Sequence, residues 1–227
     1  METLGGATTG VDRLTISEAE AVTGVKKTLI NRLLDDGHFD SLWAVDHISG
    51  RRMLDLDLCV FVKFHEDTGK LLAPKARHKI WHLFVEKVYS SRTPLVHTSC
   101  SAAPKAFHFV IDSSLSVDMS SHCLYVNSSW NALRRSRAEI ESDPNIRGGM
   151  PVIVGTRIGA YEVADVVERA GFDEALEIYP SLDREKVDAA VLYAKANPRT
   201  GRPTRESSHR TDKVRLKSIR KHTRKAS

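Results

Sequence analysis

Residues 148–160 read GGMPVIVGTRIGA, an apolar run with glycines on both sides. Glycine adopts backbone conformations that other residues avoid, so these glycines predict tight turns at the two ends of the run. The apolar residues predict a buried strand that extends from Pro151 to Ile158. The stretch therefore predicts a turn, a strand and a turn, and it raises the question of whether its glycines bind phosphate.

The glycine spacing excludes a phosphate-binding loop. Such a loop has four residues between its two glycines, and Lys and Ser or Thr follow. Five residues separate Gly149 from Gly155, and Thr156-Arg157 stands where the motif has Lys and Ser or Thr. The apolar run also lies inside the loop instead of before it. We interpret the stretch as scaffold, and a nucleotide-binding enzyme or nuclease is only a remote alternative.

Three short helices are predicted after this strand. Amphipathic periodicity over 160–170 ends at Gly171, and a second segment ends before Pro180. A third begins with Ser181 or Asp183 as its cap and ends before Pro198. The sequence therefore predicts a C-terminal β-hairpin plus three-helix unit over residues 140–197.

Residues 14–37, LTISEAEAVTGVKKTLINRLLDDG, predict two helices joined by a turn at Gly24. Ser17 and Glu20 fit a capping box at the start of the first helix. The second helix has an apolar stripe on one face and hydrogen-bond donors near its N-terminal end on the other. This pattern is typical of a helix-turn-helix that reads DNA, although two short helices around a glycine also occur in other helical domains.

Two apolar runs around Ser49-Gly50 predict a hairpin, or wing, whose arginines reach backbone phosphates. Together with the second helix, this wing completes a predicted N-terminal winged helix-turn-helix. The predicted DNA contacts are Lys26, Lys27, Thr28, Asn31, Arg32, Arg51 and Arg52.

The middle of the chain is less regular. Residues 55–69 fit either a strand or a helix, whereas residues 73–90 predict a helix that begins at Pro74. Residues 107–128 predict two or three short strands, and residues 130–140 a short helix. The predicted fold is α+β, mainly helical, with short central strands. Its divisions are a leader (1–13), the winged helix-turn-helix (14–92), a connector (93–139), the three-helix unit (140–197) and a basic C-terminal tail (198–227).

Composition narrows the class of protein. The chain has 227 residues, of which 41% are hydrophobic and 28% charged, as expected for a globular protein with a core. It has no run of eighteen apolar residues and no signal-peptide pattern, so we expect a cytoplasmic protein without a membrane span. Its odd number of cysteines, Cys59, Cys100 and Cys123, favours reduced thiols over a disulfide framework or a zinc site.

The polar side chains do not form a recognisable catalytic pattern. His78 and His82 have the spacing of two zinc ligands on a helix, but a third ligand is missing. Asp35-Asp36 and Asp55/Asp57 fit helix ends and solvated faces better than a pair of catalytic carboxylates. We therefore predict no enzyme, no metal site and no cofactor.

Positive charge is concentrated in the tail. Residues 199–227 contain eleven Lys or Arg and two acidic residues, a net charge of +9, whereas the whole chain carries +5. The preceding part is therefore acidic, with a net charge of −4. The tail has no periodic apolar face and is predicted to lack a fold of its own.

Residues Asp143–Ala194 resemble a family of small domains, long classed as of unknown function, that occur in VapB-type antitoxins of bacterial toxin–antitoxin pairs. The resemblance lies in DPNIRGGMPVIVGTRI, EVADVVERAGFDEALEIYPSL and REKVDAAVLYA. The family usually has a proline near position 159 or 160, where this chain has Gly159-Ala160. The N-terminal part more loosely resembles the winged helix of MerR-type regulators.

These resemblances imply an antitoxin that represses its own operon and neutralises a VapC-type PIN-domain ribonuclease, whose acidic active site holds magnesium. Operator binding implies a homodimer, because palindromic sites mirror two-fold symmetry. Tail arginines would pair with the acidic site of the toxin. The implied toxin-binding residues are Arg199, Arg202, Arg205, Arg210, Arg215, Arg220 and Arg224. The alternative for the whole protein is a stand-alone MerR-like regulator without a toxin partner. The alternative for the tail is a segment that solubilises the protein or binds DNA non-specifically.

Overall fold

In the computed structural model, the described residues are 13–36, 52–90, 108–113 and 115–199. Side chains of residues 87–90 are not part of this description. The elements in chain order are β1 (Arg13–Thr15), α1 (Ile16–Thr23), α2 (Lys27–Asp35), β2 (Met53–Asp55), α3 (Leu56–Asp67), α4 (Pro74–Ser90), β3 (His108–Val110), β4 (Ser116–Asp118), α5 (Ser120–Ala138), β5 (Ile140–Glu141), β6 (Val152–Ile153), α6 (Ala160–Ala170), α7 (Phe172–Ile178) and α8 (Arg184–Ala196). The α+β, mainly helical class is confirmed.

The short strands form three antiparallel pairs, β1 with β2, β3 with β4 and β5 with β6. In the first pair, Leu14 lies opposite Leu54, and both side chains are fully buried. This pair brings the segment before α1 against the segment before α3. The predicted hairpin tip at Ser49-Gly50 and the leader lie outside the described residues.

Two hydrophobic clusters hold these elements together. The first contains buried side chains of α1 to α5, with Phe61, Phe64 and Phe84 among the largest. The second lies inside the C-terminal unit around Ile153, Val163 and Val187. Helix α5 packs against both α1 and α8, so it contacts elements that contribute to both clusters.

The ambiguous segment 55–69 is a helix. Asp55 caps α3, since its side chain accepts a hydrogen bond from the Leu58 amide at 2.7 Å. Residues 56–62 and Phe64 are buried, so most of this helix is enclosed on all sides, and α1, α5 and β2 pack against it. The predicted start of α4 at Pro74 is confirmed.

The predicted cap of α1 is wrong by two residues. Thr15, not Ser17, is the N-cap, and it forms the capping box with Glu18. The Glu18 carboxylate accepts a hydrogen bond from the Thr15 amide at 2.8 Å. The helix begins earlier than predicted because strand β1 ends at Thr15 with extended backbone, which an N-cap requires.

The predicted strands over residues 107–128 are only partly correct. Two strands form, but residues from Ser120 onward belong to α5, a helix of 19 residues and not a short one. Its buried side chains include Cys123, Val126, Trp130 and Leu133, which follow helical spacing. The β-branched and aromatic residues after Ser120 favour a strand by composition, but packing against α1 and α3 overrides that preference.

Residues 151–158 form a shorter strand than predicted. Only Val152–Ile153 pair as β6, and both are fully buried. A turn at Gly155 ends the strand, and Thr156 closes it, since its hydroxyl donates to the Ile153 carbonyl at 2.8 Å. The glycine turns on either side and the three helices α6, α7 and α8 are as predicted, with Asp183 as the cap of α8.

The expectation of three reduced thiols is wrong for Cys123, which is disulfide-bonded. Cys59 is free and buried. An odd cysteine count excludes complete pairing but not one bridge, which depends on spatial proximity and not on sequence spacing.

Among the helices that the structure describes, none is long and apolar enough to cross a membrane.

The interface between α3 and α5 contains a histidine that makes stability depend on pH. His122 lies edge-on to Phe64, and its Nε2 is 3.4 Å from Asp67 Oδ2. Burial lowers the pKa of His122 and Lys63 lowers it further, against the opposing effects of Asp67 and Asp118.

We expect neutral His122 to make its full contribution to the free energy of unfolding above pH 6.5, the ordinary pKa of histidine. This contribution should decrease as the pH falls below that value. The reason is that the unfolded chain binds the proton more readily than the folded protein. Urea denaturation at several pH values should show a smaller decrease for His122→Gln. The control His108→Gln, on an exposed strand residue, should keep the wild-type decrease. Equal pH dependence in wild type and His122→Gln would contradict the assignment.

Candidate nucleic-acid interface

Helices α1 and α2 are joined by the three-residue turn Gly24-Val25-Lys26. Gly24 has φ 71°, and its amide donates to the Glu20 carbonyl at 2.9 Å, which ends α1. The left-handed conformation at Gly24 reverses the chain at little steric cost because glycine has no Cβ. The turn therefore starts α2 in a new direction within three residues.

The turn is fixed by side chains on both sides of it. The Thr23 hydroxyl donates to the Ala19 carbonyl at 2.6 Å and accepts a hydrogen bond from the Val25 amide at 3.1 Å. Val25 is buried, and the Lys27 amide donates to Glu20 Oε1 at 3.0 Å. Glu20, predicted as part of the capping box of α1, instead satisfies an unpaired amide at the start of α2.

Helix α2 has one apolar and one polar face. Ile30 and Leu33 are buried in the first cluster. The exposed residues at the N-terminal end include Lys26, Lys27 and Thr28. The predicted apolar stripe is confirmed, and the five predicted DNA contacts of this helix lie on or beside its solvent-facing side.

Two of these predicted contacts have partners within the protein. Arg32 pairs with Asp36 at 3.6 Å, and its side chain is 72% exposed. Such an exposed pair contributes little free energy, so Asp36 holds Arg32 only weakly. Asn31 is half-buried and accepts a hydrogen bond from Arg52.

Strand pairing brings Arg52 to α2. Arg52 precedes β2, and its Nη2 is 2.6 Å from Asp35 Oδ1, while its Nη1 is 3.3 Å from Asn31 Oδ1. The sequence predicts Arg52 as a phosphate contact, and the structure places it against Asn31 and Asp35 in the C-terminal half of α2. Its neighbour Arg51 lies outside the described residues.

The C-terminal end of α8 lies near the same region. A groove is lined by the start of α1, by Arg52 and Tyr161, and by Asn197-Pro198. The Tyr161 hydroxyl donates to the Asn197 carbonyl at 2.7 Å. The basic tail therefore begins beside the start of α1 and Arg52, a proximity that sequence spacing does not indicate.

Arg199 is the first tail arginine, and it is held by α6. Its Nη2 is 2.9 Å from Asp165 Oδ2, and its guanidinium carbon lies 4.9 Å from the centre of the Tyr161 ring. More than half of the Arg199 side chain is exposed, so this contact is easily exchanged. The remaining predicted toxin-binding arginines, Arg202, Arg205, Arg210, Arg215, Arg220 and Arg224, lie outside the described residues.

His78 and His82 contact each other at the surface, with 2.9 Å between their Nε2 atoms. Within the described ranges no group of three His, Cys, Asp or Glu residues lies together in a way that could hold a metal ion.

Sequence reasoning missed several charged pairs that connect distant segments. Glu18 on α1 is almost fully buried and pairs with Arg137 on α5. Arg147 and Glu162 form a bidentate pair that fixes the loop before β6 against α6. No local pattern identifies such partners, although a buried glutamate next to a helix cap is a reason to look for a distant arginine.

Comparisons with known proteins find a sequence family within the C-terminal unit and one relative of most of the chain. A family model described as a protein of unknown function, DUF433, matches residues 140–194. The chain is 31% identical over 193 residues to the uncharacterized protein y4eO of Sinorhizobium fredii (strain NBRC 101917 / NGR234), and the alignment covers 84% of each chain. No solved structure matches.

The C-terminal unit is thus similar to the DUF433 family over residues 140–194. The chain as a whole belongs to the same protein family as y4eO.

Substitution of Gly24 should destabilise the turn between α1 and α2. We expect Gly24→Ala to lower the free energy of unfolding by about 1–2 kcal/mol for the left-handed backbone. An added Cβ would also lie 3.2 Å from the Tyr125 hydroxyl. Gly155→Ala is a matched control, since Gly155 has φ 74° with nothing within 4 Å of an added Cβ. Urea denaturation that shows Gly24→Ala as stable as wild type would contradict the proposed turn constraint.

Proposed function

We propose that this protein is a DNA-binding antitoxin that represses its own operon and neutralises a VapC-type PIN-domain ribonuclease. The main observation in favour of DNA binding is the tight turn at Gly24, after which the polar face of α2 is exposed to solvent. The toxin-binding half depends on the resemblance of the C-terminal unit and on the charge of the tail. In this proposal the chain is not an enzyme and acts as a homodimer in the cytoplasm.

The exposed face of α2 has the chemistry of a DNA contact. Lys26 and Lys27 lie where the helix begins, and Arg32 follows on the exposed side. Cations of this kind neutralise phosphates and release counterions, which provides affinity independent of sequence. Thr28 and Asn31 supply hydrogen-bonding groups for base edges. A short helix with these groups at its N-terminal end fits the major groove.

The pairing of β1 with β2 supports the finer proposal of a MerR-like winged helix. With β2 paired to β1, Arg52, which follows the predicted wing, lies beside α2 and contacts Asp35. Arg51 and Arg52 would then contact the phosphates that flank the groove.

The tail supplies the proposed toxin contact. With a net charge of +9 over residues 199–227, it is complementary to a cluster of carboxylates. Arginine pairs with carboxylates through two parallel hydrogen bonds and would occupy the site where RNA and magnesium bind. Arg199, which is exposed and only weakly held by Asp165, is the first residue available for such an exchange.

A stand-alone MerR-like regulator is the second candidate. It is favoured by the position of Asn197-Pro198, which line the same groove as Arg52. A basic tail that begins beside a DNA-binding face could bind phosphates as well as carboxylates. The absence of a PIN-domain gene beside this one would favour the second candidate.

Charge reversal on α2 should weaken DNA binding and reduce its salt dependence. For the triple variant Lys26→Glu, Lys27→Glu, Arg32→Glu we expect the slope of log K against log salt to flatten by about 0.9 for each phosphate that the variant no longer neutralises. The measurement is fluorescence anisotropy with a labelled duplex from upstream of the gene. The control reverses Lys70, Lys75 and Arg134, which are exposed and lie on other elements. An unchanged slope in the α2 variant would remove this helix from the interface.

Removal of the tail should abolish neutralisation without abolishing DNA binding. We expect a chain truncated after Pro198 to leave cells arrested when it is co-expressed with the ribonuclease encoded by the neighbouring gene, whereas the full chain restores growth. Growth is the readout, and duplex binding by the truncated chain is the control for its folding. Equal protection by the truncated and full-length chains would show that the tail is not the neutralising element.

A further inference from the structure

The middle of the exposed α2 face contains Thr28, Asn31 and Asp35, which follow helical spacing along one side. Lys27 and Arg32 flank this line. Without a cationic partner, the Asp35 carboxylate would repel phosphates. The amide of Asn31 could turn either its oxygen or its NH₂ group toward DNA. The contacts of these two residues therefore decide what the face offers to DNA.

Arg52 contacts both of them. Its Nη2 lies 2.6 Å from Asp35 Oδ1, and its Nη1 lies 3.3 Å from Asn31 Oδ1. The Arg52 side chain is 39% exposed, so it is packed more closely than a free surface arginine. One guanidinium thus neutralises Asp35 and holds Asn31 at the same time, in a fork that lysine cannot reproduce.

The chemistry of arginine fixes the orientation of the Asn31 amide. A guanidinium has only donors, so its partner must be the carbonyl oxygen of the amide and not the NH₂ group. With its oxygen bound to Arg52, Asn31 presents two N–H donors. An asparagine that pairs with adenine must turn both its oxygen and its NH₂ group toward the base, so an oxygen turned toward Arg52 disfavours that pairing.

We propose that Arg52 is a positioning residue that fixes Asn31 as a hydrogen-bond donor, and that Asn31 thereby selects guanine over adenine at one position of the DNA site. Guanine presents two acceptors, O6 and N7, in the major groove, whereas adenine presents an N6 donor that would face the donors of Asn31. Thymine offers one acceptor and cytosine a donor, so they rank below guanine. This inference rests on the proposed DNA-binding function.

The test is selection of duplexes from a randomised library by the full-length protein, with base preference at each position as the readout. In Asn31→Asp the carboxylate can still accept from Arg52 but presents an acceptor to the base. We expect the preference at one position to change from guanine to cytosine, whose N4 is a donor, while the other positions stay the same. In Arg52→Met the amide is released, and guanine–adenine discrimination at that position should fall by about 10-fold.

The control is Arg32→Met, which removes a cation from the same face without touching Asn31. It should weaken binding to all sequences and leave the base preference unchanged. If wild type enriches a motif but Asn31→Asp and Arg52→Met keep its base preferences, the inference is overturned and DNA binding stands. If wild type enriches no duplex, the DNA-binding proposal and this inference both fail. Circular dichroism and urea denaturation of each variant separate these outcomes from a loss of folding.

Discussion

Helix α5 is the element on which the arrangement of the described chain depends. Two neighbouring residues in its last turn make contacts in different directions. The Ser136 hydroxyl donates to the Ala189 carbonyl of α8 at 2.7 Å, and Arg137 pairs with Glu18 of α1. Ser136 and Glu18 are both buried, so loss of either contact would leave a buried polar group without its partner. One turn of one helix thus connects the C-terminal unit to α1, the helix that precedes α2.

This connection explains why the proposed functions can share one protein. The C-terminal unit contains a small core of its own, and its last helix also packs against α1. The tail therefore begins at a fixed place relative to α2. In the proposed antitoxin, the DNA-binding face and the toxin-binding segment would each be anchored to this common scaffold.

The sequence predicts the parts of this structure that depend on local chemistry. Gly24, Pro74, Gly171 and Asp183 mark helix ends correctly because each acts through its own backbone conformation or through a neighbouring amide. The β-branched and aromatic residues after Ser120 misled the strand prediction, since their composition suits a sheet as well as a buried helix face. Packing against α1 and α3, which local pattern does not reveal, decides between the two.

The candidate site was predictable only in part for the same reason. The donors of α2 lie close together in sequence, so their common face follows from helical periodicity. The contact of Arg52 with Asn31 and Asp35, and the position of Arg199 beside Asp165, depend on segments that meet only in the folded chain. The spacing of residues along the sequence does not predict such contacts.

The strand pair β1–β2 has a further consequence, because each strand runs straight into a helix. Thr15 is the last residue of β1 and the cap of α1, and Asp55 is the last residue of β2 and the cap of α3. A slip of one residue in strand register would turn either Leu14 or Leu54 out of the core, depending on which strand moves. It would also displace the side chain that caps the helix after that strand. Strand register therefore determines where each helix starts. Because the strands are antiparallel, Thr15 and Asp55 lie at opposite ends of the ladder, so fraying at either end loosens one of the two helices.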